Sequence, residues 1–523
     1  MRKMLASLAV VAIFSAACTS DDRADPASGQ LFETPEPVAA NSQPAPDQGV
    51  TDDSVEEPVI EDDSEEDLAE SVPGSSTQAG DLPPARRDIQ GGTFHITPVE
   101  VLLPFEDPFG GFGRRATDPN WLVDIVELTP EHFTAFTGIT VDFTFAGPDA
   151  VAELPPPGDQ YDLWMVDLFS PTQLGDAGVV QDLGRRIATE ELEYETDEVV
   201  PSLRESVSTD DAIYTAPVHV ESSLLMYNQS ILTDAGIEVS DEPTWEEVAD
   251  IARQVHSNEV AGICMRGREG WQELGTSLAS VVNTFGGTWW EANSDGTAGQ
   301  PQIDQPDSGF WAATEFYVKL LIDAGPDGAE QMGFEECRDL FEKGQVAMWY
   351  GSTRAGPLLE SADSPIAGNV GYVSAPTNLT AHGAWLQGWG LAVPSAETPH
   401  VHTLEYLRWL TSDDFVQIAS VYGIDGWADV PGTRVSTYEI PEYREATEGY
   451  GDPARDAIFG ADPTNPGTTS RPGFPAVSHV GIPEYPDIAN RCTAQISAAI
   501  ARHISVYHAL DQCQQIAGEA SSG

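Results

Sequence analysis

The stretch Tyr214-Thr215-Ala216-Pro217-Val218-His219-Val220-Glu221-Ser222-Ser223-Leu224-Leu225-Met226-Tyr227-Asn228 is apolar along most of its length, yet it sets a carboxylate, Glu221, between Val220 and Ser222. A charge in such a run is costly unless something pairs with it, which marks Glu221 as a functional group. On both sides of this stretch strand and helix signals alternate, the pattern of an α/β protein. Upstream, strands are expected at 93–96, 139–145 and 162–166, with a helix through Trp121, Leu122, Ile125, Val126 and Leu128 that a fresh start at Thr129-Pro130-Glu131 extends and Gly138 ends. Downstream, Pro243-Thr244-Trp245-Glu246-Glu247 is a helix start in which Thr244 caps and Glu247 reaches back, with Val248, Ile251 and Val255 on one face. Further helices are expected over 308–323, stopped by Gly325-Pro326, and over 402–410.

The part of the chain beyond residue 92, about 430 residues, exceeds the size at which one core usually divides, so at least two lobes are expected. An apolar content of 41% and 12 tryptophans can fill both. The net charge is −61, and lysine occurs only at Lys3, Lys319 and Lys343. Such a surface repels phosphate backbones and anionic headgroups, which excludes nucleic acid as a partner and points to a neutral or cationic small molecule. A saline or an acidic habitat gives the same bias.

Residues 1–18 read as a secretory leader: Arg2 and Lys3, an apolar run too short to span a bilayer comfortably, then Ser15, Ala16, Ala17 and Cys18. The small-residue tripeptide ending on Cys18 resembles the lipobox of bacterial lipoproteins, with Ser15 where Leu is commonest, so Cys18 is the expected lipidation site. An ordinary cleaved signal is the competing reading; both place the protein outside the cytoplasm, and the lipobox reading anchors it to the bacterial cell membrane. From 19 to 91 Pro, Ser, Ala, Asp and Glu dominate, too few apolar side chains to offset the entropy of ordering. A tether of that length averages roughly 50 Å end to end; an acidic interaction tail is the alternative.

Cys264, Cys337, Cys492 and Cys513 are an even set in an oxidising compartment, so two disulfides are expected. Three connectivities exist, and Cys492 with Cys513, near the ends of one apolar-periodic segment, leaves Cys264 with Cys337. No CxxC or neighbouring His spacing supports a metal, no cofactor is implied, and no GxSxG, HExxH or phosphate-cradling Gly loop supports an enzyme.

Several segments in order resemble family 1 extracellular solute-binding proteins, the receptors of carbohydrate ABC importers. They are Tyr161-Asp162-Leu163-Trp164-Met165 through Leu174-Gly175-Asp176-Ala177-Gly178, the 214–228 stretch, Ala235-Gly236-Ile237 with the Pro-Thr-Trp helix start, and Phe341-Glu342-Lys343-Gly344-Gln345-Val346-Ala347-Met348. Arg266-Gly267-Arg268-Glu269-Gly270-Trp271, Asn283 to Trp289, Gly351-Ser352-Thr353-Arg354-Ala355-Gly356 and Pro431-Gly432-Thr433-Arg434 look like the subgroup associated with mannitol and sorbitol. The resemblance implies a two-lobed periplasmic-binding-protein-like fold of type II over 92–523, each lobe a mixed sheet flanked by helices. One lobe would take about 92–219 and 388–430, the other about 222–384 and 431–523, with Glu221 at the crossover and the ligand in the cleft. It also implies a monomer that hands its ligand to a membrane permease.

A neutral polyol or sugar donates and accepts through its hydroxyls and presents apolar C–H faces, so its cleft needs carboxylates, guanidinium groups and indoles. The expected ligand set is Asp167 and Glu221 as acceptors, Arg266 and Arg434 as donors, Trp271, Trp289, Trp385 and Trp389 as platforms, and Ser352 and Thr353 as hydroxyl contacts. The duller readings are core packing for Trp289, structural ion pairs for the arginines and hydrogen bonds within their own loop for Ser352 and Thr353. A secreted glycoside hydrolase, which would need an apposed pair of carboxyl groups, and a tethered adhesin or protein-binding module are the rival functions.

Overall fold

The computed structural model describes residues 98–103, 121–145, 161–168, 174–175, 177–189, 192–209, 212–292, 298–306, 308–380, 383–395, 400–422, 432–461 and 484–520. The strand expected at 93–96, the tether and Cys18 lie outside these. Nine strands frame the described part, in chain order β1 (Val99–Leu103), β2 (Val141–Phe145), β3 (Leu163–Asp167), β4 (Ala216–Glu221), β5 (Ser223–Asn228), β6 (Ala261–Cys264), β7 (Val346–Ser352), β8 (Val370–Ser374) and β9 (Gln387–Ala392).

They form two mixed sheets, ordered β2-β1-β3-β9-β4 and β8-β5-β7-β6. In the first, β1 runs parallel to β2 and β3 while β9 runs antiparallel to β3 and β4. In the second, β7 is parallel to β6 and antiparallel to β5. Parallel neighbours need helical crossovers that cover the sheet faces, which is why the strands other than the edge strand β2 are mostly buried.

The helices form where local chemistry demands them. Thr244 caps α1 (Trp245–Val255) in a reciprocal box: the Glu247 amide donates to Thr244 Oγ1 at 3.2 Å and the Thr244 amide to the Glu247 carboxylate at 2.8 Å. The Thr244 amide, together with the Thr244 hydroxyl that donates to the same carboxylate at 2.9 Å, holds the Glu247 carboxyl below the usual carboxylate range. The helix from Trp121 continues through a wider-turned segment, Thr129–Thr134, and ends at Gly138, whose φ of 77° a side chain would resist. Ser308 caps the helix Gly309–Ala324, and the third expected helix runs from Val401 to Leu410.

Each sheet has its own core. Val99, Val101, Leu163, Met165, Val218, Val220 and Leu391 belong to the first; Leu225, Ile263, Met348, Tyr350, Val373 and Trp385 belong to the second. The chain passes between cores at 221–224 and returns between Trp385 and Leu386. The C-terminal part divides differently from the expectation that 431–523 joins one lobe. Tyr438, Tyr443, Ile458 and Ala461 pack into the first core, where Ser202 Oγ donates to the Ile458 carbonyl at 2.8 Å and the Val200 amide to that of Thr433 at 3.0 Å. Tyr485–Ile500 and Val506–Ala520 pack into the second core. The structure contains two disulfides, Cys264–Cys337 and Cys492–Cys513, the second joining those last two helices.

Candidate functional site

Ser222 is the single residue between β4 of the first sheet and β5 of the second, and its polar groups are all engaged. Its amide donates to Thr353 Oγ1 at 3.1 Å, its carbonyl accepts from the Thr353 amide at 2.9 Å, and its hydroxyl donates to the Trp385 carbonyl at 2.6 Å. The Trp385 amide in turn donates to Ser223 Oγ at 3.2 Å. The two chain passages are thereby fastened to each other and to the loop after β7 (buried polar groups without partners would cost stability).

On the first-lobe side Glu221 ends β4 opposite Gln387 of β9, and Trp389 stands opposite both Asp167 at the end of β3 and His219 on β4. A side chain at Gly388 would collide with the His219 carbonyl, so β9 can lie this close to β4 only as glycine. Asp167 is buried, while Glu221 and Trp389 are partly exposed. Gln387 Nε2 donates across to Thr276 Oγ1 at 2.8 Å, and the Thr276 hydroxyl donates to the Trp271 carbonyl at 3.2 Å. This chain of bonds ties the first sheet to the segment Trp271–Gly275 of the second lobe.

Burial, aided by the charge of Arg354, pushes the His219 imidazole down to about 3. Its folded value is below the ordinary one, so the stability it contributes is complete above about pH 6.5 and is lost as pH falls from there toward 3, by about 1.4 kcal/mol per pH unit. His219→Gln is expected to flatten the acid limb of stability between pH 6.5 and 4, read as the urea midpoint against pH. An unchanged slope would contradict the neutral, buried state of this ring.

On the second-lobe side Arg266 is buried, and its guanidinium carbon lies 5.3 Å from the Trp385 ring centre and 5.8 Å from that of Phe334. Nη1 donates to the Gln272 carbonyl at 2.7 Å and Nε lies 3.9 Å from the Glu273 carboxylate. Glu273 is bridged to Arg268 at 2.7 Å, and Arg268 to Glu336 at 2.8 Å. Arg266 thus braces the Trp271 segment. Trp271 itself is partly exposed, and its amide donates to Asn490 Oδ1 at 2.8 Å.

Three expected ligand groups stand elsewhere. Trp289 is a core residue, stacked on Trp290 at 5.8 Å and edge-on to Phe310 and Tyr485, because the Gly286-Gly287 turn carries it inward. Trp385 is 0% exposed, sealed between Arg266 and Tyr350 as a wall of the crossover. Arg434 is an ion-pair strut of the first lobe, 3.2 Å from Glu195 and 3.5 Å from Asp413, next to a backbone bridge with Val199. Ser352 and Thr353 are buried, and their hydroxyls accept from the amides of Arg354 and Ser222. The structure therefore brings Asp167, Glu221, Trp389, Arg266, Trp271, Ser352 and Thr353 around the crossover. His219, Thr276, Phe334, Arg354 and Gln387 were missed; Gln387, next to Gly388-Trp389, had the clearest signal, a polar residue beside a glycine that admits a close strand. Among the described residues no cluster of His, Cys, Asp or Glu could hold a metal.

Comparison with known proteins gives the arrangement its context. The family model for bacterial extracellular solute-binding proteins matches residues 119–417, more than half of the chain. A mannitol-binding protein of Pseudomonas aeruginosa is 29% identical over 364 residues, 68% of this chain and 80% of that protein. An ABC transporter solute-binding protein of Agrobacterium vitis, solved with bound D-mannitol, superposes with a TM-score of 0.68 at 28% identity, covering 81% of this chain and 98% of its own. The maltose-bound MalE3 of T. maritima shares the fold at 19% identity, with a TM-score of 0.64 and coverage of 81% and 99%. With two mixed-sheet lobes joined at a hydrogen-bonded crossover and a family match over more than half of its residues, the chain belongs to the bacterial extracellular solute-binding proteins of ABC transporters.

Proposed function

We propose that this protein captures a neutral sugar alcohol in the cleft beside its crossover and delivers it to the permease of an ABC importer, without transforming it. The observation that carries the reading is the likeness, over nearly the whole of the other chain, to a receptor solved with D-mannitol. The crossover chemistry supports it. Hydroxyls both donate and accept, and the groups gathered there include carboxylates, a guanidinium and two partly exposed indoles, Trp271 and Trp389. Ligand contact with both lobes supplies the differential affinity that closure requires. We also read Cys18 as a lipid-bearing residue, 19–91 as the tether that holds the receptor off the membrane, and the receptor as a monomer.

A thermal-shift screen of residues 92–523 against alditols, monosaccharides and disaccharides tests this. A sugar alcohol at a hundredfold excess over its dissociation constant is expected to add about 2.7 kcal/mol of apparent stability. A panel in which no polyol shifts the melting temperature, or in which a polyol is consumed, rejects the reading.

A further inference from the structure

Two opposite charges flank the fastened pair at the crossover. Glu221 precedes Ser222 and Arg354 follows Thr353, and Ser222 and Thr353 are bonded to each other in both directions. Neither Glu221 nor Arg354 forms a side-chain hydrogen bond or ion pair with another described residue. For Arg354 this is unusual in its setting. The chain carries 85 acidic residues, and the buried arginines Arg266, Arg338 and Arg434 each have a carboxylate within 4 Å, at 3.9, 2.8 and 3.2 Å. Arg354 instead rests against the Phe334 ring, its guanidinium carbon 5.2 Å from the ring centre, and its Nε is buried with no acceptor. The same ring carries Arg266 at 5.8 Å, so two like charges share one aromatic support.

The Arg354 side chain is partly exposed, so its outer donors are open to a ligand that arrives from solvent. Its backbone is fixed by the hydrogen bond from its amide to Ser352 Oγ at 3.0 Å, and the preceding Thr353 is bonded to Ser222, which places Arg354 beside the passage between the lobes. A planar fork of donors suits two adjacent oxygens. Two chemistries offer them, a vicinal pair of hydroxyls or a carboxylate. The neighbouring Glu221 decides between them: it can accept from a hydroxyl but repels a second anion.

We propose that Arg354 is a ligand-binding residue that donates a forked pair of hydrogen bonds to adjacent hydroxyls of the bound polyol, with Glu221 accepting from the same ligand, so that the two together select an alditol over the corresponding aldonate. This rests on the receptor reading above. Phe334 holds the guanidinium ready, and the ligand completes its hydrogen bonding from one lobe while Glu221 engages it from the other.

Calorimetric titration with D-mannitol and D-mannonate, on the wild type, Arg354→Gln, Arg354→Lys and Glu221→Gln, tests it. Arg354→Gln is expected to weaken mannitol binding by about thirtyfold with the melting temperature of the free protein unchanged. Arg354→Lys, which keeps the charge and loses the fork, recovers at most a small part, and Glu221→Gln narrows the preference for mannitol over mannonate. Mannitol affinity in Arg354→Gln within threefold of wild type overturns the assignment while leaving the receptor reading intact. A wild type that prefers mannonate overturns the selection, and a wild type silent to both ligands and to the wider polyol screen removes the receptor reading and this assignment together.

Discussion

Trp385→Ala is expected to cost about 3–5 kcal/mol of unfolding free energy, the range for deleting a large buried aromatic side chain. The indole is fully enclosed, edge-on to Tyr350 at 5.6 Å and under the Arg266 guanidinium at 5.3 Å. Its removal opens a cavity at the point where its own backbone is bonded to Ser222 and Ser223. Two measurements should therefore move together. The urea midpoint falls, and affinity for the polyol falls, because Arg266 loses the surface that positions it beside the Trp271 segment. Trp385→Phe, which keeps an edge-on ring, should lose less of both. A Trp385→Ala protein with unchanged stability and affinity would contradict the enclosed position of this side chain.

Removing the Cys264–Cys337 disulfide by paired serine substitution is expected to cost about 4 kcal/mol by the loop-entropy account, and removing Cys492–Cys513 about 3 kcal/mol. The difference follows from the sequence separations of 73 and 21 residues. The first bond matters to the site as well. Cys264 ends β6 two residues before Arg266, and Cys337 lies three residues after Phe334 in the helix Phe334–Glu342. Loss of the bond frees the aromatic support from the arginine that shares it, so this variant, and the wild type under reductant, should bind polyol more weakly than the Cys492–Cys513 variant of comparable stability. Equal ligand affinity in the two variants would show that the first bond serves stability alone.

Local chemistry was legible in the sequence because it depends on near neighbours. The Thr244–Glu247 box formed where its residues called for it, and the helix expected over 308–323 runs from Gly309 to Ala324. Glu221 could be singled out because an unpaired carboxylate in an apolar strand is costly, and the two-sheet architecture followed from alternation and from the resemblance. What escaped was decided by contacts distant in sequence. Whether an indole faces a cleft or a core depends on neighbours such as Phe310 and Tyr485, which lie 21 and 196 positions beyond Trp289 and leave no local trace. Arg434 looked like a donor to a ligand until the fold brought Glu195 beside it. The segment 432–461 was expected with the helices that follow it, but Tyr438, Tyr443 and Ile458 pack into the first core, while Tyr450 lies against Tyr372 of the second sheet. Arg354 escaped notice because its distinction is the lack of a partner, a property that exists only in three dimensions.

The division of the C-terminal part has a mechanical corollary. Ala461 lies in the first core and Tyr485 in the second, so the backbone joins the halves a third time, after the passages at 221–224 and 385–386. The two passages stitched together through Ser222 oppose sliding and leave swivelling as the available freedom. The aperture should therefore behave as a one-parameter joint, and a single interlobe distance, followed by spin or fluorescent labels, should describe its whole travel.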